Sequence, residues 1–257
     1  MPKERIALQL FTVRNLMKTA ADATATLKKV KQIGYEGVEL AGLGPLSAKE
    51  FAAVLKGEGL AAPGCHTDLN RLQKDLPGLI DELKVLECSS ATIAVMPDEF
   101  RTAEGFCEFG RVMTKIAPDL LKAGITLGYH NHSFEFERFG NKPGLQLFYE
   151  NSDPALVKAE IDTYWVQHGG ADPADWITRM KGRLPLLHAK DMSIRNSPNM
   201  MTQVFVEVGE GNLNWKRIIP ACREAGVVWF TVEQDTCERD PLESAAISLR
   251  NLRAMLA

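Results

Sequence analysis

No stretch of this 257-residue chain is dominated by charge of one sign, and its formal net charge is only -3. A surface for nucleic acid or anionic membrane would show clustered Lys and Arg, so neither partner is expected. No apolar run is long enough to span a bilayer. Met1-Pro2-Lys3-Glu4-Arg5 leads straight into an apolar strand pattern, without a signal-type hydrophobic region, so a cytoplasmic protein is the expectation. Cysteine is sparse and scattered: Cys65, Cys88, Cys107, Cys222 and Cys237 form no CxxC pair. Neither a zinc ribbon nor a disulfide framework follows from that spacing, and a reducing compartment suits such residues. Also missing is a glycine-rich phosphate turn after the first strand, where Phe11-Thr12-Val13-Arg14 stands instead. That absence counts against a doubly wound nucleotide-binding sheet.

What is present is an end-to-end alternation of short apolar, β-branched runs with longer helical patterns. The runs predict strands at Ile6 to Val13, Gly37 to Leu40, Leu60 to Thr67, Ala91 to Met96, Ile125 to Asn131, Val157 to Val166, Leu184 to Asp191 and Val227 to Asp235. Each is followed by a helix, with Gly34 as a C-cap, Ser47 as an N-cap, and Pro173 and Pro241 opening helices where proline is tolerated. A long excursion separates strand seven from its helix. Eight strand–helix units without a linker or composition break predict an α/β protein, a (β/α)8 TIM barrel forming one domain over residues 1–257. An open doubly wound sheet is the alternative.

In a barrel, catalytic groups gather at the C-terminal ends of the strands. His66 falls at the end of strand three, and His130 and His132 at the end of strand five. Asp162 lies on strand six with His168 just after it; His188, Lys190 and Asp191 close strand seven; Glu233 and Asp235 close strand eight. These positions take in all five histidines. Side chains alternate faces along a strand, so His130 pairs with His132, His188 with Lys190, and Glu233 with Asp235 on common faces. His130, Asp162, His188 and Glu233 come from four consecutive strands and can converge near the barrel axis. Two imidazoles and two carboxylates form a mixed donor set suited to one Mn²⁺, Co²⁺, Fe²⁺ or Zn²⁺ ion, with Mn²⁺ foremost, whereas Mg²⁺ prefers oxygen.

Several segments then carry a resemblance. They are Leu8 to Arg14, Gly34-Tyr35-Glu36-Gly37-Val38-Glu39, Gly128-Tyr129-His130-Asn131-His132-Ser133-Phe134-Glu135-Phe136, Asp162 to Trp165, His188-Ala189-Lys190-Asp191, Val208-Gly209-Glu210-Gly211 and Val232-Glu233-Gln234-Asp235. Their order and spacing resemble the sugar phosphate isomerase/epimerase superfamily, with its xylose isomerase-like TIM barrel, over essentially the whole chain. The resemblance implies a divalent metal held by Glu, Asp, His and Glu on strands five to eight. Asp162, His188 and Glu233 match the last three. Strand five departs, because His130-Asn131-His132 stands where many members have Glu-Asn-His. The first ligand is then His130, and Glu135 is the candidate for the vacant carboxylate role, on the metal or as a base.

The activity implied is isomerisation or epimerisation of a sugar or keto-sugar by α-proton abstraction. Epimerases of the superfamily resemble two-base enzymes, and the lost glutamate moves weight towards a one-base dehydratase or lyase. Inosose dehydratases carry a similar His-rich strand five. The base is then Glu233, Glu135 or a histidine such as His132, with Lys190 as a candidate acid. A homodimer or homotetramer is the family-level expectation. A metal-dependent hydrolase and a non-catalytic sugar-binding subunit are alternatives from other classes, and the negative charge balance opposes a DNA-cleaving hydrolase.

Other residues have two readings each. His66 and Glu39 are substrate contacts or internally bonded pocket residues. His168, beside Gly169-Gly170, reads as structural or rim. Lys190 is a substrate or acid residue, or a solvated lysine. Trp165 is an aromatic wall for a sugar's apolar face, or core. Gly209-Glu210-Gly211 is a weak phosphate-loop signal, and is read rather as a tight loop placing Glu210 at the rim to touch substrate.

Overall fold

A computed structural model describes residues 4–198 and 200–257; Met1, Pro2, Lys3 and Asn199 lie outside the described residues. Eight strands line the barrel: β1 (Arg5–Gln9), β2 (Gly37–Glu39), β3 (Cys65–Thr67), β4 (Ser90–Ile93), β5 (Thr126–His130), β6 (Val157–Asp162), β7 (Leu186–Ala189) and β8 (Trp229–Val232). Their neighbour order is β2-β1-β8-β7-β6-β5-β4-β3, with every pairing parallel. The parallel bridges Gly37↔Ala61 and Leu40↔Cys65 bring the two ends of that sheet together. The fold is the expected (β/α)8 barrel.

Helices pack outside, and their ends follow the local chemistry of the sequence. Ser47 accepts from the Glu50 N–H while the Glu50 carboxylate accepts from the Ser47 N–H, a reciprocal cap on the helix Ala48–Glu58. Gly34 closes Ala20–Ile33 at φ 115°, a conformation a side chain would strain. The main core lies between strands and helices, while Ala7, Leu186 and Trp229 form a small separate buried cluster. These three stand two residues before Gln9, His188 and Thr231, so they share the inward face and form a floor beneath the polar residues above. Among the described residues no helix is long and apolar enough to cross a membrane.

The structure trims several expected strands. β1 ends at Gln9, whose side chain accepts from the Phe11 N–H and turns Leu10–Leu16 into a 3-10 helix. β6 ends at Asp162 rather than Val166, because the Asp162 carboxylate caps the Trp165 N–H and starts the helix Thr163–His168. The excursion after β7 is an antiparallel hairpin, Asp191–Ser197 paired with Met200–Val206.

The hairpin is anchored by Asp191, which is fully buried. Its carboxylate accepts from the N–H groups of Met192 (2.8 Å), Gly209 (2.9 Å), Gly211 (3.3 Å) and Leu213 (3.2 Å), and from Trp215 Nε1 (2.7 Å). The glycine loop considered for phosphate is thus a cradle already filled by the protein's own carboxylate. A Cβ at Gly211 would collide with it, which accounts for glycine there. Replacing Asp191 with Ala strands five N–H donors, those of Met192, Leu213 and Trp215 on buried residues, so a loss on the order of 3 kcal/mol is expected in urea unfolding. A loss below about 1 kcal/mol would show that the cradle is not a structural anchor.

Candidate active site

The inward positions at the C-terminal ends of β5 to β8 bring the expected quartet together. The donor atoms of His130, Asp162, His188 and Glu233 all lie within 4.8 Å of one another, and all four residues are buried. His130 Nε2 is 3.2 Å from Asp162 Oδ2, and His188 Nδ1 is 3.0 Å from Glu233 Oε2 and 3.8 Å from Asp162 Oδ2. Alternation along β5 explains the selection: His130 points in, while Tyr129 points out and packs on Phe109 and Phe148.

The set fits a divalent ion by the chemistry of its donors. His130 Nδ1 faces the Ala94 carbonyl at 3.1 Å, an oxygen that only accepts, so Nδ1 carries the proton and Nε2 is turned to the cluster. His188 Nε2 faces two carboxylates, Glu39 Oε2 at 2.8 Å and Glu160 Oε1 at 2.9 Å, which leaves Nδ1 as the nitrogen able to yield its proton to a cation. Outer acceptors that orient metal-binding imidazoles in this way are general.

A second layer lies against the first and shares His188. Glu39, His66, Glu160 and His188 also bring their donor atoms within 4.8 Å. His66 Nε2 sits 2.8 Å from Glu160 Oε1, and the Thr92 hydroxyl donates to Glu160 Oε2 at 2.8 Å. Glu39 and His66, read from the sequence as substrate contacts or internally bonded pocket residues, both face this internal layer, with His66 retaining a little exposure. Glu160 was missed, although it stands two residues before Asp162 and shares its face by strand period.

Lys190 completes the arrangement. Its Nζ lies 2.7 Å from Glu233 Oε2, 3.0 Å from Asp162 Oδ2 and 2.9 Å from Asp235 Oδ1. The Thr163 hydroxyl accepts from the Lys190 N–H and donates to the Lys190 carbonyl, fixing the backbone just after β7. Burial alone would push the Glu233 and Asp162 carboxyls up, but Lys190 together with His188 and His130 holds both below the usual carboxylate range. Burial likewise opposes charge on Lys190 and His188, yet the surrounding carboxylates raise both above their ordinary values. In the second layer Glu160 faces both imidazoles and stays ionised, whereas burial and the neighbouring Glu160 charge push Glu39 up.

The remaining candidates separate. His132 packs edge-on against His130 and beside Trp165, and burial first, then His130 and Lys190, push it down to about 3. Trp165 lines the mouth with Phe205 from the hairpin, both rings 5.6 Å from Lys190 Nζ. The structure does not bring Glu135 to the quartet: it accepts from the Tyr129 hydroxyl (2.6 Å) and the His132 N–H (2.9 Å), and is fully buried behind the outward face of β5. Glu210 is exposed and pairs with Arg239, which also holds Glu207. Four histidine rings converge, while His168 stacks on Tyr164 away from them.

The family of xylose isomerase-like TIM barrels matches residues 27–255. The chain belongs to that family. A rhizopine catabolism protein, MocC of Rhizobium meliloti, is 21% identical over 265 residues, spanning 90% of this chain and 81% of that protein. The crystal structure of a sugar phosphate isomerase/epimerase from Parabacteroides distasonis superposes with a TM-score of 0.80 at 23% identity, covering 100% of this chain and 96% of its own. A xylose isomerase-like TIM barrel protein from Mycobacterium smegmatis, in complex with magnesium, gives 0.76 at 17% identity and covers 100% of both chains. At these identities the likeness speaks for the fold.

Burial pushes the Glu135 carboxyl up to about 7, against the hydrogen bonds from Tyr129 and His132 that favour its charge. The folded chain therefore holds this proton after the unfolded chain, at an ordinary 4.5, has lost it. The stability contributed by this group falls as pH rises from 4.5 to about 7, by about 3 kcal/mol in total, and changes no further beyond. In urea unfolding, the stability of the unsubstituted chain relative to Glu135→Gln should fall by that amount across the window. Parallel curves would contradict the buried-proton assignment.

Proposed function

We propose that the chain is a divalent-metal-dependent enzyme that acts on a sugar or keto-sugar by removing the proton beside a carbonyl. The observation that carries this reading is the buried convergence of His130, Asp162, His188 and Glu233 at the mouth of the barrel, with the Lys190 ammonium between the two carboxylates. Those four residues would hold the ion, and Mn²⁺, Co²⁺, Fe²⁺ or Zn²⁺ suits the two imidazoles. When bound, such an ion polarises the carbonyl and its neighbouring hydroxyl and so acidifies the C–H between them.

The chain's own groups divide the remaining work. Glu233, ionised and buried, takes the proton. Lys190, within 2.7 Å of it, is the donor that protonates the oxygen on which charge develops or which departs. Trp165 supplies a flat wall for the apolar face of a sugar ring, and His132, held neutral, serves as a hydrogen-bond partner rather than a strong base.

One observation favours elimination over two-base epimerisation. With His130 on β5 and Glu135 turned behind the strand, Glu233 is the carboxylate left in the quartet for proton transfer beside the capping Asp162. A single base with an ammonium beside it suits loss of a β-hydroxyl or alkoxide, in keeping with the strand-five resemblance to inosose dehydratases. The same reading keeps the cytoplasmic setting and the homodimer or homotetramer expected from the sequence.

The test is a panel of keto-sugars and inososes assayed with the Mn²⁺-loaded chain in deuterated water. Turnover should incorporate solvent deuterium or release water, and Glu233→Gln should lower kcat roughly 10³-fold. Retention of turnover by Glu233→Gln would remove that residue from proton transfer.

A further inference from the structure

Lys190 and the metal quartet draw on the same atoms. Nζ lies 2.7 Å from Glu233 Oε2 and 3.0 Å from Asp162 Oδ2, the two oxygens that also face His188 Nδ1 and His130 Nε2. The lysine side chain is 1% exposed, so no shell of water screens it from a second cation. A dication on those two oxygens and an ammonium hydrogen-bonded to them would stand within one atom of each other, where like charges repel strongly.

Asp235 differs from its neighbours. It pairs with Nζ at 2.9 Å through Oδ1, it is outside the donor quartet, and its side chain is 23% exposed against 0% for Asp162. It stands two residues after Glu233, in the loop beyond the end of β8. Trp165 and Phe205 flank the ammonium, each ring 5.6 Å from Nζ.

Building on the metal reading above, we propose that Lys190 is a built-in cation that occupies the two metal-facing oxygens of the metal-free protein, and that Asp235 is the positioning residue onto which its ammonium withdraws when a divalent ion enters. Metal affinity is then set by a competition inside the chain. Removing the lysine favours the ion; removing its place of withdrawal disfavours it.

The experiment is calorimetric titration of Mn²⁺ alone into the metal-depleted full chain and three variants, with circular dichroism to confirm folding. Lys190→Met should bind roughly tenfold tighter or more, since the competing charge is gone. Asp235→Asn should bind roughly tenfold weaker in the native background and change affinity less than about twofold in the Lys190→Met background. Equal weakening in both backgrounds would mean that Asp235 acts as a plain distant charge, which overturns its role. Unchanged or weaker binding by Lys190→Met overturns the competition. If Lys190→Met fails to fold, a Mn²⁺-soaked crystal of the unsubstituted chain decides: Nζ on Asp235 alone supports the proposal, and Nζ still on Asp162 and Glu233 refutes it. Absence of Mn²⁺ binding in every variant would remove the metal reading together with this inference. Turnover surviving in Glu233→Gln would strike only the functional reading and leave these affinities standing.

Discussion

Charges sealed inside a barrel must balance at hydrogen-bond distance, and that requirement organises everything around His188. Its two ring nitrogens each meet carboxylates, Glu233 and Asp162 on one side and Glu39 and Glu160 on the other. An isolated buried carboxylate would simply take up a proton, so the anionic state of the quartet depends on the cations placed among it. Lys190 provides one such cation, and its own charge persists in a dry site because three carboxylates surround it. Neither side of this arrangement survives without the other, which is the usual condition for burying ion pairs.

The scaffold holds this balance through backbone contacts rather than through the charges themselves. Thr163 ties the start of a helix to the chain just after β7, so the residue next to a quartet member also sets the position of Lys190. Asn131 accepts from the Asp162 N–H, joining the ends of β5 and β6. Asp191 anchors the hairpin that carries Phe205 over the lysine. These are short links between neighbouring strand ends, and they hold the site rigidly at the face where barrels concentrate function.

Much of this was legible from order and period. The strand–helix alternation gives the barrel, because each short apolar run can bury itself only against a helix on one side and a neighbouring strand beside it. Ser47 with Glu50, and Gly34, mark helix ends through local hydrogen bonding and φ alone. His130, Asp162, His188 and Glu233 could be grouped because alternation assigns a face without any knowledge of partners. Glu160 escaped attention although the same rule places it with Asp162. The internal Lys190 contacts and the Asp191 cradle were not found, since they depend on how the chain beyond the strand ends folds back, where strand alternation assigns no face.

The sequence by itself determined the eight-fold alternation, the helix caps and which residues face the barrel axis, because these depend on neighbours within a few positions. Tertiary structure alone decided where β1 and β6 stop, that Glu135 turns to Tyr129, that Gly209 and Gly211 receive Asp191 rather than a phosphate, and that Lys190 lies on the quartet. Each of those depends on a partner's distance and on exclusion of water, and the strength of a charge is set by that surrounding medium rather than by its place along the chain.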